Sequence, residues 1–344
     1  MIRLLIFAIL TAFAIAACQG DYPAVNPTRS SSSGLTDCRM IRHELGETEV
    51  CGQLQRIVAL GPYVLESLLA LGVQPTGFAD DMMLHQGDYD DPSQQIPYLG
   101  RQITQPLANV GLSSSPSIEA MLKIQPDLIL GTGSNASQYE AFSNMAPTLL
   151  LKWADPEASL RTIAQAVERS DQVKPLLAAT KRRIASARAA FAPLVASHPK
   201  LLLLSSGQLQ EINLGNAAHG LCSSLIESLG FQLVAPPGFD SSEASSLVPI
   251  SLETLPQLND ADSIILLGSN FSELKQFKGA GDFEEHQLAN LKQAWQKNAI
   301  AQSLRASKYG RVYFIPAYLC LGLPGSIGTE LYLKELQDQL LTDL

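Results

Sequence analysis

The sequence predicts an α/β protein made of two Rossmann-like lobes, each built around a central parallel sheet, with one long rigid helix joining them. Three observations predict this architecture. Apolar strands alternate with helical segments along most of the chain, one short unit of sequence occurs twice, and a long helical stretch separates its two copies. Strands that alternate with helices pair in parallel, because each helix serves as a crossover between them. A chain of 344 residues is long enough for two such lobes.

The repeated unit has a serine, an apolar residue and a glutamate at the start of a short helix, then an acidic turn and an apolar strand. Ser117 and Glu119 hold these positions in the first copy, and Ser251 and Glu253 hold them in the second. Serine caps and first-turn glutamates are favoured because the first N–H groups of a helix have no intrahelical partner. Each strand is apolar at every position, which predicts sheets that are covered on both faces.

The stretch between the copies, residues 155–194, predicts a short helix to about Glu168, a break at Ser170-Asp171 and then a longer helix. Apolar residues of the longer helix fall three, four or seven positions apart, and they are Leu177, Ile184, Ala187, Phe191 and Leu194. Pro175 is compatible with this helix if the helix starts near Asp171, because the N–H groups of the first turn lack an intrahelical partner. The predicted divisions are a first lobe over residues 38–154, a connecting helix over 155–197 and a second lobe over 198–344.

The N-terminal residues 1–17 predict a lipoprotein signal peptide. One basic residue precedes an apolar run that is too short to span a membrane, and small residues stand directly before Cys18. This pattern resembles a bacterial lipobox, which implies cleavage before Cys18 and its lipidation; ordinary signal cleavage is the alternative. Residues 18–37 are rich in Ser, Gly and Pro and predict a flexible tether. We expect an exported protein, held by its lipid on the periplasmic side of a bacterial membrane.

Four further cysteines stand in what we expect to be an oxidising compartment, and four cysteines allow three pairings. Cys38 and Cys51 bracket a possible hairpin, so we favour their pairing, and Cys222 then pairs with Cys320. In the loop-entropy model the first disulfide would stabilise the fold by about 3 kcal/mol and the second by about 4.7 kcal/mol. Free buried thiols are the alternative. Zinc binding is disfavoured, because no CxxC or CxxH spacing is present.

Ligands of open α/β sheets bind beyond the carboxyl ends of the strands. If the two lobes face each other, the loops at these ends line one cleft. The predicted ligand-binding residues are Tyr63, Arg101, Trp153, Gln208, Asn270 and Tyr318. The three aromatic residues would form its walls. Arg101 would be the nearest cation, unless it is only a solvated surface charge.

Five segments, in this order, resemble the ABC-transporter solute-binding proteins of the iron-siderophore/cobalamin class. They are QRIVALGPYVLESLLALGVQPTGFAD, NVGLSSSPSIEAMLKIQPDLILGTG and APTLLLKW in the first lobe, and ISLETLPQLNDADSIILL and KYGRVYFIP in the second. The segment HELGETEV is similar to ferric-citrate and related siderophore binders. The resemblance implies the class III periplasmic-binding-protein fold and a monomer that delivers a ferric-siderophore chelate to an ABC permease in the inner membrane. It implies neither a cofactor nor catalysis.

The resemblance also implies a role for the repeated glutamates. One glutamate per lobe pairs with permease arginines in this class, and the matching positions are Glu119 and Glu253; helix-dipole carboxylates on a solvated face are the alternative. The chain departs from the class after its last strand, where Tyr318 begins a segment that often contains Trp. The ligand therefore stays open, with cobalamin or haem as the second choice. A protein that holds a metal or cofactor on the same fold, without transport, is a further alternative.

Other classes of function lack support in the sequence. A net charge of −9 argues against nucleic-acid binding, which needs a basic surface. The five histidines lie in different predicted elements, so we expect no metal site. Gly131 and Gly133 follow a strand without the GxGxxG or GK[ST] pattern of a phosphate loop. Ser205 and Ser206 lack the nucleophile elbow of hydrolases.

Overall fold

The computed structural model describes residues 37–237, 247–271 and 279–342. The described part begins with a hairpin. The predicted signal peptide, the lipidation site Cys18 and nearly all of the predicted tether lie outside these residues. Strands β1 (Cys38–His43) and β2 (Gly46–Cys51) pair antiparallel, and a disulfide joins Cys38 to Cys51. Their alternation places Ile41 and Val50 in the core, where they attach the hairpin to the first lobe.

The first lobe is built on a six-stranded sheet with the order β6-β5-β4-β3-β7-β8. Its strands are β3 (Ile57–Leu60), β4 (Gly77–Asp80), β5 (Ala108–Leu112), β6 (Ser115–Pro116), β7 (Leu128–Thr132) and β8 (Thr148–Leu151). All neighbours are parallel except β5 and β6. The central strand β3 is buried at every position, as its uninterrupted apolar sequence predicts.

The second lobe has its own six-stranded sheet, with the order β12-β10-β9-β13-β14 and β11 beside β9. Its strands are β9 (Lys200–Ser206), β10 (Ile212–Leu214), β11 (Gln232–Leu233), β12 (Val248–Ile250), β13 (Ser263–Gly268) and β14 (Val312–Pro316). Strands β9, β11, β13 and β14 are parallel, whereas β10 runs antiparallel to both of its neighbours, β9 and the edge strand β12. The predicted architecture of two lobes with separate, mainly parallel sheets is therefore confirmed.

Helices cover both sheets and join them. They are α1 (Pro62–Ala70), α2 (Pro92–Gln95), α3 (Ile118–Ile124), α4 (Tyr139–Ser143), α5 (Pro156–Ala166), α6 (Ser170–Ser197), α7 (Leu221–Leu229), α8 (Ala280–Lys297), α9 (Ala299–Ser303), α10 (Arg305–Lys308) and α11 (Ser326–Leu340). Short 3₁₀ helices span Gly100–Gln102, Gly133–Gln138, Ala217–His219 and Leu252–Leu258, and a π-helical turn spans Tyr318–Gly322. Within the described ranges, none of the helices combines the length and the apolar character that crossing a membrane requires.

The predicted connecting helix is α6, which is 28 residues long. Val173, near its start, packs in the core of the first lobe, whereas Phe191 and Leu194, near its end, pack in the core of the second. The break lies at residues 167–169, where Glu168 has a φ of 57°, and not at the predicted Ser170-Asp171, which form the start of α6. The helix starts at Ser170, next to the predicted Asp171, but Pro175 lies beyond its first turn, so the helix forgoes one backbone hydrogen bond there.

The two copies of the repeated unit differ in their helices. Ser117 caps α3, because its hydroxyl accepts a hydrogen bond from the N–H of Ala120 at 3.2 Å. Ser251 makes no such backbone cap and contacts the Thr254 hydroxyl at 3.2 Å instead. The helix after Ser251 is 3₁₀ and contains Pro256, which has no N–H and disfavours an α-helical turn.

The second disulfide lies in the second lobe and joins Cys222 to Cys320. Cys222 belongs to α7, and Cys320 belongs to the π-helical turn that follows β14. Both disulfides are thus the pairs that the sequence analysis favours. The second one fastens the turn after β14 to a buried helix, and this turn forms part of the candidate site.

Candidate functional site

A cavity of about 340 Å³ lies between the lobes, at the carboxyl ends of β3, β4, β7 and β8. The first lobe contributes most of its lining, and the second lobe contributes Leu321 and Gly322. Gly61 forms the turn from β3 into α1 with a φ of 109°, a conformation that favours glycine. The cavity has the position that ligands take in open α/β sheets, so we treat it as the candidate site.

Two of the predicted aromatic walls, Tyr63 and Trp153, line this cavity. Tyr63 stands at the start of α1, and its hydroxyl donates to the Lys152 carbonyl at 3.3 Å. Burial raises the pKa of Tyr63, and the charge of Glu66 adds to the shift, so the hydroxyl stays protonated. Trp153 follows β8, and its Nε1 donates to the Leu321 carbonyl of the second lobe at 3.0 Å.

Gln208 and Asn270 lie together in a different cavity, of about 360 Å³, which residues of the second lobe line. Gln208 follows β9 and is exposed, and Asn270 follows β13. The amide of Asn270 donates to the His286 carbonyl at 3.2 Å. The structure therefore places both residues at strand ends, as predicted, but not in the cavity that Tyr63 and Trp153 line.

The third predicted wall, Tyr318, is an interior residue with only 1 % exposure. Its ring stacks on Tyr98 at a centroid distance of 5.9 Å and meets the edge of Phe283 at 4.9 Å. It lies directly behind the cavity wall, since a Cβ on Gly322 would come within 3.0 Å of it. Tyr318 thus supports the wall in this structure and does not form its surface. The role of Tyr98 was missed, because this residue belongs to an irregular loop of the first lobe.

Arg101 does not line either cavity. It is exposed in the short 3₁₀ helix Gly100–Gln102. The structure thus offers no contact through which Arg101 would hold an anion in the candidate site.

Two acidic residues stand at the end of β4, of which Asp81 lines the cavity and Asp80 does not. Asp81 is exposed, lines the cavity and accepts a hydrogen bond from the Ser113 hydroxyl at 2.5 Å. Asp80 is buried at 2 % exposure, and its Oδ2 has no hydrogen-bond partner among the described residues. Burial, and after it the charge of Asp81, raises the pKa of Asp80 to about 7. The signal by which Asp80 and Asp81 could have been found in the sequence is a pair of acidic residues at the end of an apolar strand.

The repeated glutamates lie on the surface, one in each lobe. Glu119 pairs with Lys123 at 2.9 Å, and this hydrogen-bonded ion pair lowers the pKa of its carboxyl. The backbone N–H of Glu253 and the Ser251 side chain lower the pKa of the Glu253 carboxyl. Both side chains are therefore ionised and accessible at neutral pH, and their role in docking stays a prediction.

One buried cluster has the residue types of a catalytic triad. The Ser205 hydroxyl lies 2.8 Å from Nε2 of His219, and Nδ1 of His219 lies 3.3 Å from Oδ1 of Asn216. All three residues are buried, and burial lowers the pKa of His219. Since a substrate cannot reach Ser205 in this arrangement, we assign the cluster to holding the end of β9 in place.

Among the described residues, one group of potential metal ligands comes close enough to share an ion, namely Cys38, Glu49 and Cys51. The two thiols of this group form a disulfide, so they are not available as thiolate ligands. Imidazole groups do not converge anywhere in the described ranges.

Comparison with known proteins gives consistent results. The profile of a family described as periplasmic binding protein matches residues 57–319. The Fe(3+)-citrate-binding protein YfmC of Bacillus subtilis is 25% identical over 319 residues, which are 91% of this chain and 88% of the relative. The Fe(3+) dicitrate-binding periplasmic protein FecB of Escherichia coli is 27% identical over 282 residues, 80% of this chain and 81% of FecB.

A solved structure has the same fold. The crystal structure of Staphylococcus aureus SirA complexed with staphyloferrin B superimposes with a TM-score of 0.66 at 20% identity. The superposition covers 88% of this chain and 98% of SirA.

Proposed function

The chain belongs to the periplasmic binding protein family, and from this premise we propose that it is the solute-binding component of an ABC importer. It captures a ferric-siderophore chelate between its lobes and delivers it to the permease in the inner membrane, without chemical conversion. The observation that carries the proposal is the cavity that both lobes line at the carboxyl ends of the strands. The names of YfmC and FecB and the ligand of SirA support a ferric chelate as cargo.

The walls of this cavity suit such a ligand. Trp153 offers a flat apolar surface to the rim of a chelate, and the neighbouring hydroxyl groups offer hydrogen bonds. Tyr63 also lines the cavity, although it is only 4 % exposed. Gln208 and Asn270 would reach the ligand only from their own cavity in the second lobe. Tyr318 holds the wall at Gly322 from behind.

The rest of the proposal concerns location and partners. A lipid on Cys18 holds the protein at the periplasmic side of the membrane, and the segment that follows lets the folded lobes reach the permease. Glu119 and Glu253 contact arginines of the permease, one glutamate from each lobe. The protein acts as a monomer and binds no resident cofactor.

A thermal-shift experiment tests the proposed cargo. A ligand that binds only the folded state stabilises it by about 2.7 kcal/mol at a concentration of 100 times its Kd. We expect ferric-siderophore chelates of at least one chemical type to raise the melting temperature, while the iron-free chelators raise it less. A rise with cobalamin or haem alone would assign the protein to that cargo instead. No rise with any of the three ligand types would contradict the proposal.

A further inference from the structure

The charge of the candidate cavity points to the type of chelate that it accepts. Among the described residues that line it, Asp81 is the one charged side chain. The other polar groups of the lining are uncharged, and include the hydroxyls of Ser113, Thr132 and Ser134. Arginine and lysine side chains, which proteins use to hold anions, do not occur in the described lining.

A second carboxylate lies directly behind this wall. Asp80 precedes Asp81, and its carbonyl accepts a hydrogen bond from the N–H of Ser113, a lining residue, at 2.7 Å. Oδ2 of Asp80 is buried without a hydrogen-bond partner among the described residues. The same holds for the hydroxyls of Tyr98 and Tyr318. Asp80, Tyr98 and Tyr318 are not among the described residues that line the cavity, so Asp81 is the carboxylate that a guest in the cavity contacts.

The carboxylate of Asp81 sets the sign of the local electrostatic potential, and Asp80, whose pKa is raised to about 7, adds to it only in the molecules in which it is ionised. Like charges repel strongly where little water screens them, and opposite charges attract by the same amount. A cavity with low-dielectric walls strengthens this effect. A chelate with negative net charge is therefore disfavoured near Asp80 and Asp81, whereas a chelate that carries a protonated amine is favoured.

We propose, on the basis of the proposed function, that the cargo is a ferric chelate of hydroxamate type with neutral or positive net charge. Three hydroxamates balance the charge of Fe³⁺, so the complex is neutral, and a pendant ammonium group makes it positive. Three catecholates leave the complex triply negative, and citrate complexes are also anionic. In the site, the ammonium or amide N–H groups of the chelate donate to Asp81, which lines the cavity.

A matched pair of ligands isolates the effect of charge. Ferrioxamine B carries one positive charge, and its N-acetylated form has the same iron centre without that charge. We expect isothermal titration to show that ferrioxamine B binds at least about tenfold more tightly than the acetylated form, and that ferric dicitrate and ferri-bacillibactin bind more weakly than both. Preferred binding of either anionic chelate, or equal affinity for the matched pair, would overturn this inference and leave the proposed function standing. No binding of any chelate would overturn both.

Substitution of Asp81 tests the residue directly. Asp81→Asn removes the charge but retains an oxygen that accepts the hydrogen bond from Ser113. We expect this variant to lose about tenfold in affinity for ferrioxamine B and to bind the acetylated form unchanged. Glu140→Gln is the control, because it removes an exposed charge of the same lobe that does not line the cavity. If Asp81→Asn lost the same factor in affinity for both ligands while its melting temperature stayed unchanged, Asp81 would not select ligands by their charge.

Discussion

At the residue scale, Trp153 connects the candidate cavity with the contact between the lobes. Its ring lines the cavity, and its Nε1 donates to the Leu321 carbonyl of the other lobe at 3.0 Å. The ring also packs against Gly220 of the second lobe, where a Cβ would stand only 3.3 Å from it. A ligand in the cavity therefore contacts the same side chain that holds the lobes together.

Replacing Trp153 with Phe keeps an aromatic wall and removes the indole N–H. We expect urea titrations to show a fall in the free energy of unfolding of about 1 kcal/mol, the usual net contribution of one hydrogen bond. The chain has two tryptophans, and Trp295 is buried in the core of the second lobe. Fluorescence quenching by a ferric chelate should therefore be largely lost in the variant. Quenching at full amplitude would mean that the ligand does not enter this cavity.

The sequence pointed to Trp153 and Tyr63 because both follow directly on a predicted strand, and strand ends of a parallel sheet lie on one edge. It did not point to Tyr98, whose ring meets Tyr318 from the other lobe. Contacts of this kind depend on how the two lobes are oriented, and local sequence patterns contain no information on that orientation. Asp80 ends β4, which is buried at every position, and no local sequence pattern distinguishes this buried aspartate from the exposed Asp81 beside it.

At the element scale, Glu66 binds helices of the two lobes to each other. It lies in α1 with 0 % exposure, and its carboxylate accepts hydrogen bonds from the N–H groups of Gly325 at 2.9 Å and Gly328 at 2.7 Å. These groups form the start of α11, where free N–H groups and the helix dipole favour an anion. Within the apolar run of α1, Glu66 resembles an ordinary exposed position, and the backbone donors that it binds have no sequence signature.

This contact predicts a pH dependence of stability. Burial raises the pKa of Glu66 from 4.5 to about 7, although the N–H groups of Gly328 and Gly325 oppose the shift. The folded state then binds more protons than the unfolded state between these pH values, so stability falls as the pH rises through this window. The shift corresponds to a loss on the order of 3 kcal/mol. Asp80, with a pKa of about 7, acts in the same direction.

We therefore expect Glu66→Gln to flatten, but not abolish, the decrease in stability between pH 4.5 and pH 7, measured by urea unfolding at intervals across this range. The glutamine keeps one acceptor for the start of α11 and has no charge to desolvate. Glu119→Gln serves as the control, since the pKa of this exposed carboxyl is lowered and it titrates below the window. If the free energy of unfolding of Glu66→Gln decreased with pH as steeply as that of the unaltered protein, Glu66 would be ruled out as the source of the pH dependence.

At the scale of the whole molecule, two sheets and one connecting helix follow from sequence patterns that are local. Uninterrupted apolar strands predicted both sheets, and apolar residues three, four or seven positions apart predicted α6. The short helix after Ser251 was less predictable, because Pro256 changes it from α to 3₁₀. Since α6 packs in the cores of both lobes, it resists a wide hinge motion. Ligand binding should therefore change the spacing of surface groups on the two lobes only slightly.

A near-constant spacing would suit the docking role that we propose for the two repeated glutamates. Glu119 and Glu253 stand on different lobes, and both are exposed and ionised. The ion pair of Glu119 with Lys123 is exposed and weak, so an arginine of the permease can replace the lysine. Two such contacts, held apart by a stiff molecule, would fix the orientation of the protein on its permease.

The double variant Glu119→Gln with Glu253→Gln should retain the affinity for the chelate and lose uptake of the iron complex into cells that depend on this importer. Each single variant should give an intermediate rate, because one of the two contacts remains and sets the position only loosely. The matched control is Glu140→Gln with Glu227→Gln, which removes one exposed carboxylate from each lobe outside the repeated unit. Uptake at the unaltered rate in the first double variant would refute the docking role. Equal losses in both double variants would mean that overall negative charge, and not these two positions, guides the protein to the permease.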